Sequence, residues 1–216
     1  IILRGKKESA HHLSPAICEM SWIKQDDKGN KQDFQHYSPP FILSVDEIYS
    51  KIRDPRYSYS QPGTLFPYEI QKYDPMVIRE LLHNCIAHSD YTMMGRIILM
   101  ELNDKLLLIN NGEFIPGSAE NVLDNAYMPP YYRNHFLATA MVNLNMIETI
   151  TSGIFRVFES QRKRLSPLPD YDLTEPERVR VTVYGSILDE NYTRLLVENT
   201  SLPMSAVILL DRVQKT

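Results

Sequence analysis

The sequence predicts an α/β fold, with helices covering a sheet, and three stretches carry that expectation. Between Asp74 and Tyr91 the apolar residues Ile78, Leu81, Leu82, Cys85 and Ile86 recur at helical spacing. The apolar runs Arg96–Leu102 and Lys105–Asn110 flank Asn103-Asp104, and a two-residue link of that kind favours a tight hairpin. Runs so nearly continuous suit strands central in a covered sheet. Arg178–Gly185 alternates charged and apolar residues, so it reads as a strand with one face exposed.

The elements follow in chain order. Residues 1–14 read as a strand end and a polar linker, with Ile1 to Lys6 resembling the last strand of something upstream. Ala16–Lys24 is a strand carrying the sole tryptophan, Trp22, and Gln32–Tyr37 is its return after the turn Asp26 to Asn30. Ser38-Pro39-Pro40 punctuates. Ser44 then reads as the N-cap of a helix whose inner face is Val45, Ile48, Tyr49 and Ile52, closed by Asp54-Pro55. Arg56–Ser60 and Thr64–Ile70 are strands joined through Gln61-Pro62-Gly63. Asp74 caps the next helix, and Pro75 suits its first position because the missing N–H is not needed there. Asn110-Asn111-Gly112 and Pro116-Gly117 open a long loop. Arg133–Asn145 and Ser152–Arg164 read as helices, as do Leu188–Glu198 and Met204–Lys215 at the end.

At 216 residues the chain is long enough to bury a proper core. A net charge of −4 gives no general pull toward nucleic acid or anionic lipid. No run reaches the ~18 apolar residues of a membrane span, so the cytoplasm is the expected compartment and no membrane partner is expected. Cys18 and Cys85 lack partners at metal spacing. Cys85 lies on the apolar stripe, which favours a buried thiol.

The chemistry centres on the polar side of the Asp74 helix. Glu80 and Asn84 are one turn apart, with His83 and Ala87 beside them. This is either an ordinary wet face or the Glu-x-x-x-Asn pair of a nucleotide site. In the second case a carboxamide oxygen is a suitable Mg²⁺ ligand when phosphates supply the negative charge, and the Glu activates a water. His83 and His88 lie about 140° apart around a helix, too far to share one metal ion. Asn111-Gly112 allows a backbone to approach a flat base, or makes a plain turn. Thr151-Ser152-Gly153 seats phosphate oxygens or caps a helix. Thr182 offers a hydroxyl to a ligand or reflects β-propensity. Arg162-Lys163-Arg164, after Arg156, reads as a solvated helix end that complements the macrodipole.

Taken in order, these elements resemble the GHKL ATP-binding fold of gyrase, Hsp90, histidine kinases and MutL. Arg79-Glu80-Leu81-Leu82-His83-Asn84-Cys85-Ile86-Ala87-His88-Ser89-Asp90-Tyr91 is similar to the hallmark of the ATP-binding region in RecG-helicase-related transcription regulators. Tyr132 to Ala138 and Met146 to Ile154 resemble two later motifs of that family. The resemblance implies a two-layer sandwich with a mixed sheet over residues 41–185. Residues 1–40 would include the tail of an AlbA/Schlafen-type DNA-binding domain, and 186–216 would be helices leading to a winged helix. It further implies ATP with Mg²⁺ as ligand, Asn84 on the metal and Glu80 as base. Asn110, Asn111 and Gly112 would border the adenine, Ser152 and Gly153 the phosphates, and Thr182 the base. Three departures stand out: Asn110 or Asn111 replaces the adenine-binding Asp, Phe114 falls near a family Gly, and Thr151 replaces another.

The expected function is therefore a nucleotide sensor within a transcription regulator, with DNA contacted through domains outside this region and a homodimer as its assembly. One rival is a true ATPase that uses Glu80. The other is a scaffold that has lost its ligand. Helicase activity is the poorest option, because the chain has no Gly-x-x-x-x-Gly-Lys-Ser/Thr loop.

Overall fold

The computed structural model describes residues 1–53, 56–59, 68–123, 127, 131–147 and 153–215, with only the backbone described for 56–59 and 68–70. The architecture is a mixed α/β sandwich, a central sheet flanked by helices. Six strands form the main sheet: β1 (Met20–Gln25), β2 (Lys31–Tyr37), β5 (Ile97–Glu101), β6 (Lys105–Asn111), β7 (Asp170–Asp172) and β8 (Arg178–Tyr184). Their spatial order is β2-β1-β5-β6-β8-β7. β1 runs parallel to β5, and every other pairing is antiparallel. A separate two-stranded ribbon pairs β3 (Arg56–Tyr59) with β4 (Tyr68–Gln71). Asp54-Pro55 and Gln61-Pro62-Gly63 lie outside the described residues.

The β5–β6 hairpin occupies the middle of the sheet, and its link closes with the Leu102 N–H donating to the Lys105 carbonyl at 3.0 Å. Side chains alternate across the sheet. One row turns Met20, Trp22, Leu99, Leu106, Leu108 and Val181 into the core. Two helices cover that row. α1 (Phe41–Lys51) lies against β1, and α2 (Pro75–His88) lies against β6. The opposite row, which includes Ile98, Met100, Leu107 and Ile109, is only half-buried.

β1 and β2 belong to the main sheet, so its pairing crosses residue 40. Residues 1–3 form no strand. Leu3 is buried, and the carbonyls of Ile2 and Leu3 accept the N–H groups of Phe41 (2.9 Å) and Ile42 (3.3 Å). Those carbonyls satisfy the first free donors of α1, which explains why that helix starts three residues before the expected Ser44 cap. Ser44 instead lies inside the helix, and its hydroxyl donates back to the Pro40 carbonyl at 3.3 Å. At the other end, α6 (Glu190–Glu198) and α7 (Met204–Gln214) pack with α5 (Gly153–Lys163) around Phe158, Leu168, Tyr192, Leu196 and Val207. Buried Asp211 accepts the Leu168 N–H at 2.8 Å and pairs with Lys215. Short elements escaped the sequence pattern, among them β7 and α3 (Ala119–Leu123), because three and five residues are too few to show a period. α4 is His135–Asn143. Among the described residues no helix is long and apolar enough to cross a membrane.

Candidate functional site

α2 begins as its sequence dictates, with the Asp74 carboxylate accepting the Met76 N–H at 2.8 Å and Pro75 in the first turn. Ile78, Leu81, Leu82, Cys85 and Ile86 are buried as expected. The other side of the helix is buried as well, because α4 and α5 pack across it. Glu80 is 8% exposed, His83 5% and Ala87 2%, so this is not a wet face.

Both oxygens of Glu80 are engaged. Oε2 pairs with Arg156 Nη2 at 2.9 Å, and Oε1 accepts Asn84 Nδ2 at 3.4 Å. The carboxylate lies hard against Gly153, where a Cβ would come within 1.7 Å of Glu80 Oε1. Only a residue without a side chain allows that approach. A general base needs a lone pair within reach of the proton it takes. In this arrangement each Glu80 oxygen holds one protein partner and keeps further acceptor capacity, and the side chain lines a neighbouring cavity.

Beside this pair a cavity of about 200 Å³ opens between α2, the ends of β6 and β8, the start of α5 and the segment after β6. Val179 and Val181 line it from the sheet, and Leu81, Ile147, Ile154 and Tyr171 add apolar wall. Its polar lining includes Glu80, Asn84, His88, Asn110 and Glu113. Phe114 also forms part of the wall, with its ring 5.4 Å from that of Tyr171.

The strand period separates the expected base contacts. Asn110 is 6% exposed and lines the cavity, and its Nδ2 donates to the Asn111 carbonyl at 3.2 Å. That bond leaves Oδ1 as the acceptor the amide can offer. Asn111, one residue on, points to the opposite face and packs on Gly95, where a Cβ would meet Asn111 Nδ2 at 1.4 Å. Thr182 is likewise on the wrong face. Its neighbour Val181 lines the cavity, and Thr182 pairs across the sheet with Leu107 and Asp170. The Asn111 and Thr182 side chains thus face away from the cavity, as strand alternation requires. Gly153 lines the cavity, whereas Ser152 lies outside the described residues.

Gly112 is used differently from the expectation. Its φ of +109° is a glycine conformation, and a Cβ there would stand 3.2 Å from the Arg133 guanidinium and 3.3 Å from Asp90. Asp90 and Arg133 form an ion pair at 3.4 Å, and Arg133 Nη2 donates to the Glu113 carbonyl at 3.2 Å. Asn134 Nδ2 donates to the Ala87 and Ser89 carbonyls (3.0 and 2.8 Å), which closes the end of α2. The Asp90 N–H donates to the Asn111 carbonyl at 2.8 Å. The His-Ser-Asp-Tyr and Arg-Asn motifs therefore meet as a clasp holding α2, the β6 end and the entry to α4. The sequence reading missed this pairing and the role of Arg156. The two motifs in chain order were the available signal for the clasp; nothing local marked Arg156. In the neighbouring Arg162-Lys163-Arg164 only Lys163 is solvated as expected, pairing with Glu159 at 2.9 Å, while half-buried Arg162 and Arg164 donate to the Thr200 and Gln71 carbonyls.

Burial holds the Cys85 thiol up at about 12 and the Cys18 thiol up at about 11, so neither is a thiolate nucleophile at neutral pH. Among the described residues no group of three or more His, Cys, Asp or Glu is placed to hold a metal. Asn84 can supply one carboxamide oxygen, which suits Mg²⁺ only together with phosphate oxygens and water.

Burial also pushes the pKa of His83 below its ordinary value, against the hydrogen bond from its Nδ1 to the Met146 carbonyl at 2.6 Å. His88 is lowered by burial and by the Arg133 charge, and its ring stacks on Tyr132. His83 is therefore a core residue and not part of a wet helix face. Below the ordinary value near 6.5 the unfolded chain binds protons that the folded chain refuses. Stability is present above that pH and declines as pH falls through it, by up to about 1.4 kcal/mol per unit for each histidine. Urea midpoints should fall between about pH 7.5 and 5.5. His83→Gln should flatten that slope, and an unchanged slope would contradict the assignment.

The family model described as "Putative ATP-dependent DNA helicase recG C-terminal" matches residues 95–183. This partial match, to an ATPase-like region, takes in Asn110, Gly153 and Thr182 but stops short of Glu80 and Asn84. No curated protein matches the chain. The crystal structure of the DIP2311 protein from Corynebacterium diphtheriae is similar in fold, with a TM-score of 0.63 at 17% identity over 78% of this chain. The likeness spans 34% of that chain, about a third of its length.

Proposed function

We propose that this chain carries a GHKL-type domain that binds an adenine nucleotide as a signal and does not hydrolyse it. The observation that carries the reading is Asn110: a buried carboxamide at the end of a central strand, lining an apolar cavity beside Glu80 and Asn84. A flat base fits between Val179, Val181 and the α2 side, with its amino group donating to Asn110 Oδ1. Mg²⁺ would be held by Asn84 together with the nucleotide's phosphates, screening their charge. The engagement of Glu80 with Arg156 and Asn84 supports sensing over turnover. In this reading the domain serves a cytoplasmic, homodimeric transcription regulator whose DNA contacts lie in other domains.

The test is isothermal titration with a non-hydrolysable ATP analogue, with and without Mg²⁺, and with adenosine. Saturable heat is expected from at least one of them. No heat from either at millimolar concentration would sink the reading. The ATPase rival predicts phosphate release that Glu80→Ala abolishes. Phe114 favours the scaffold reading, since its ring occupies part of the cavity wall against Tyr171. That reading predicts no binding even for Phe114→Gly, where the space is enlarged.

A further inference from the structure

Among the described residues four tyrosines line the cavity, and three of them are committed within the protein. The Tyr131 hydroxyl donates to Glu113 Oε1 at 3.1 Å. The Tyr132 ring stacks on His88, and the Tyr171 ring packs against those of Phe114 and Phe158. Tyr127 is different: its hydroxyl oxygen is shut off from solvent and has no hydrogen-bond partner among the described residues. Folded proteins keep few buried polar atoms in that state, because water has been removed and nothing replaces it. No other cavity-lining residue among those described carries such an atom. Tyr127 as a whole is half-buried, which leaves its ring room to bring the hydroxyl onto a ligand.

We propose that Tyr127 is a specificity-determining residue whose hydroxyl donates to an acceptor on the nucleoside part of the ligand, a base ring nitrogen or a sugar oxygen. The inference rests on the adenine-binding reading above. A cavity of about 200 Å³ lies below the roughly 300–1,000 Å³ of pockets that enclose whole drug-sized ligands, so the nucleoside end is what it encloses. Within it the protein's own bonds set the polarity of each contact. Asn110 donates through Nδ2 to the Asn111 carbonyl and offers Oδ1 as an acceptor. Tyr127 offers the donor, since loss of water around the phenol raises its pKa above the ordinary value and keeps it protonated at neutral pH. Adenosine has the matching set, an amino group that donates and ring nitrogens and sugar oxygens that accept. A ligand that makes both bonds removes the orphan. One that makes only the first leaves it buried and unpaired.

Tyr127→Phe keeps the ring and deletes the hydroxyl, and titration with adenosine and with a non-hydrolysable ATP analogue plus Mg²⁺ reads the effect. Both affinities should fall at least about fivefold, by similar factors. The empty variant should unfold at the same urea midpoint as the unaltered chain or higher, because it loses an unpaired group and no bond. Tyr192→Phe is the control. Its hydroxyl is likewise buried without a partner among the described residues, but it lies in the C-terminal cluster and does not line the cavity. Both affinities should hold there within about twofold. An unchanged affinity in Tyr127→Phe would overturn the assignment and leave the adenine reading intact. A loss confined to the ATP analogue would do the same, by putting the hydroxyl on the phosphates. A lower urea midpoint would overturn it too, since the hydroxyl would then be bonded within the protein. If the unaltered chain binds neither compound, the adenine reading itself fails and the assignment with it.

Discussion

Asn110→Leu should weaken binding of adenosine or the ATP analogue by tenfold to a hundredfold, or below detection. Leucine keeps the γ-branched shape of asparagine, with greater bulk, but cannot accept the base's amino group. A donor buried without its acceptor costs about 1–3 kcal/mol, and every 1.4 kcal/mol is tenfold in affinity. Asn110 is the polar group at the buried end of β6 on the cavity side, as Leu106 and Leu108 precede it on the same row. The control is Asn111→Ala. That side chain faces Gly95 on the other side of the sheet, so the affinity should hold within about twofold. Equal losses at 110 and 111 would show that the base lies elsewhere, as would an unaffected Asn110→Leu.

Leu82→Ala should cost about 2–5 kcal/mol of stability, the range for deleting a fully buried leucine. Leu82 is completely buried in the layer between α2 and the sheet. The surrounding side chains can collapse only partly into the space, so the cost combines lost transfer energy with a cavity term. In urea the midpoint should drop with an unchanged slope. Arg79, three residues earlier on the same helix, is exposed, and Arg79→Ala should change stability by no more than about 0.5 kcal/mol. A cost below about 1 kcal/mol for Leu82→Ala would mean that α2 does not pack as described.

Much of the frame could be read from local pattern. The α2 cap at Asp74, its apolar stripe, the β5–β6 hairpin and the alternation of β8 each rest on residues within one or two turns of one another. What failed was everything that needs a distant partner. The start of α1 depends on the Ile2 and Leu3 carbonyls, some forty residues upstream. The polar side of α2 can pass for a wet face because a single helix shows only its own two sides. It takes the packing of α4 and the Met146 carbonyl to bury His83.

By itself the sequence determined the α/β class, the helix bearing Glu80 and Asn84, and the central hairpin ending in Asn110, because periodicity and capping are short-range. It also placed the Gly153 helix start beside its motifs in chain order. Tertiary structure alone decided which face each residue serves: Asn110 toward the cavity, Asn111 and Thr182 away from it. It alone joined Arg156 to Glu80 across seventy-six positions, and Arg133 and Asn134 to the end of α2. A one-residue shift in a strand reverses the side chain, and an ion pair needs only proximity in space. Neither leaves a mark in the local pattern.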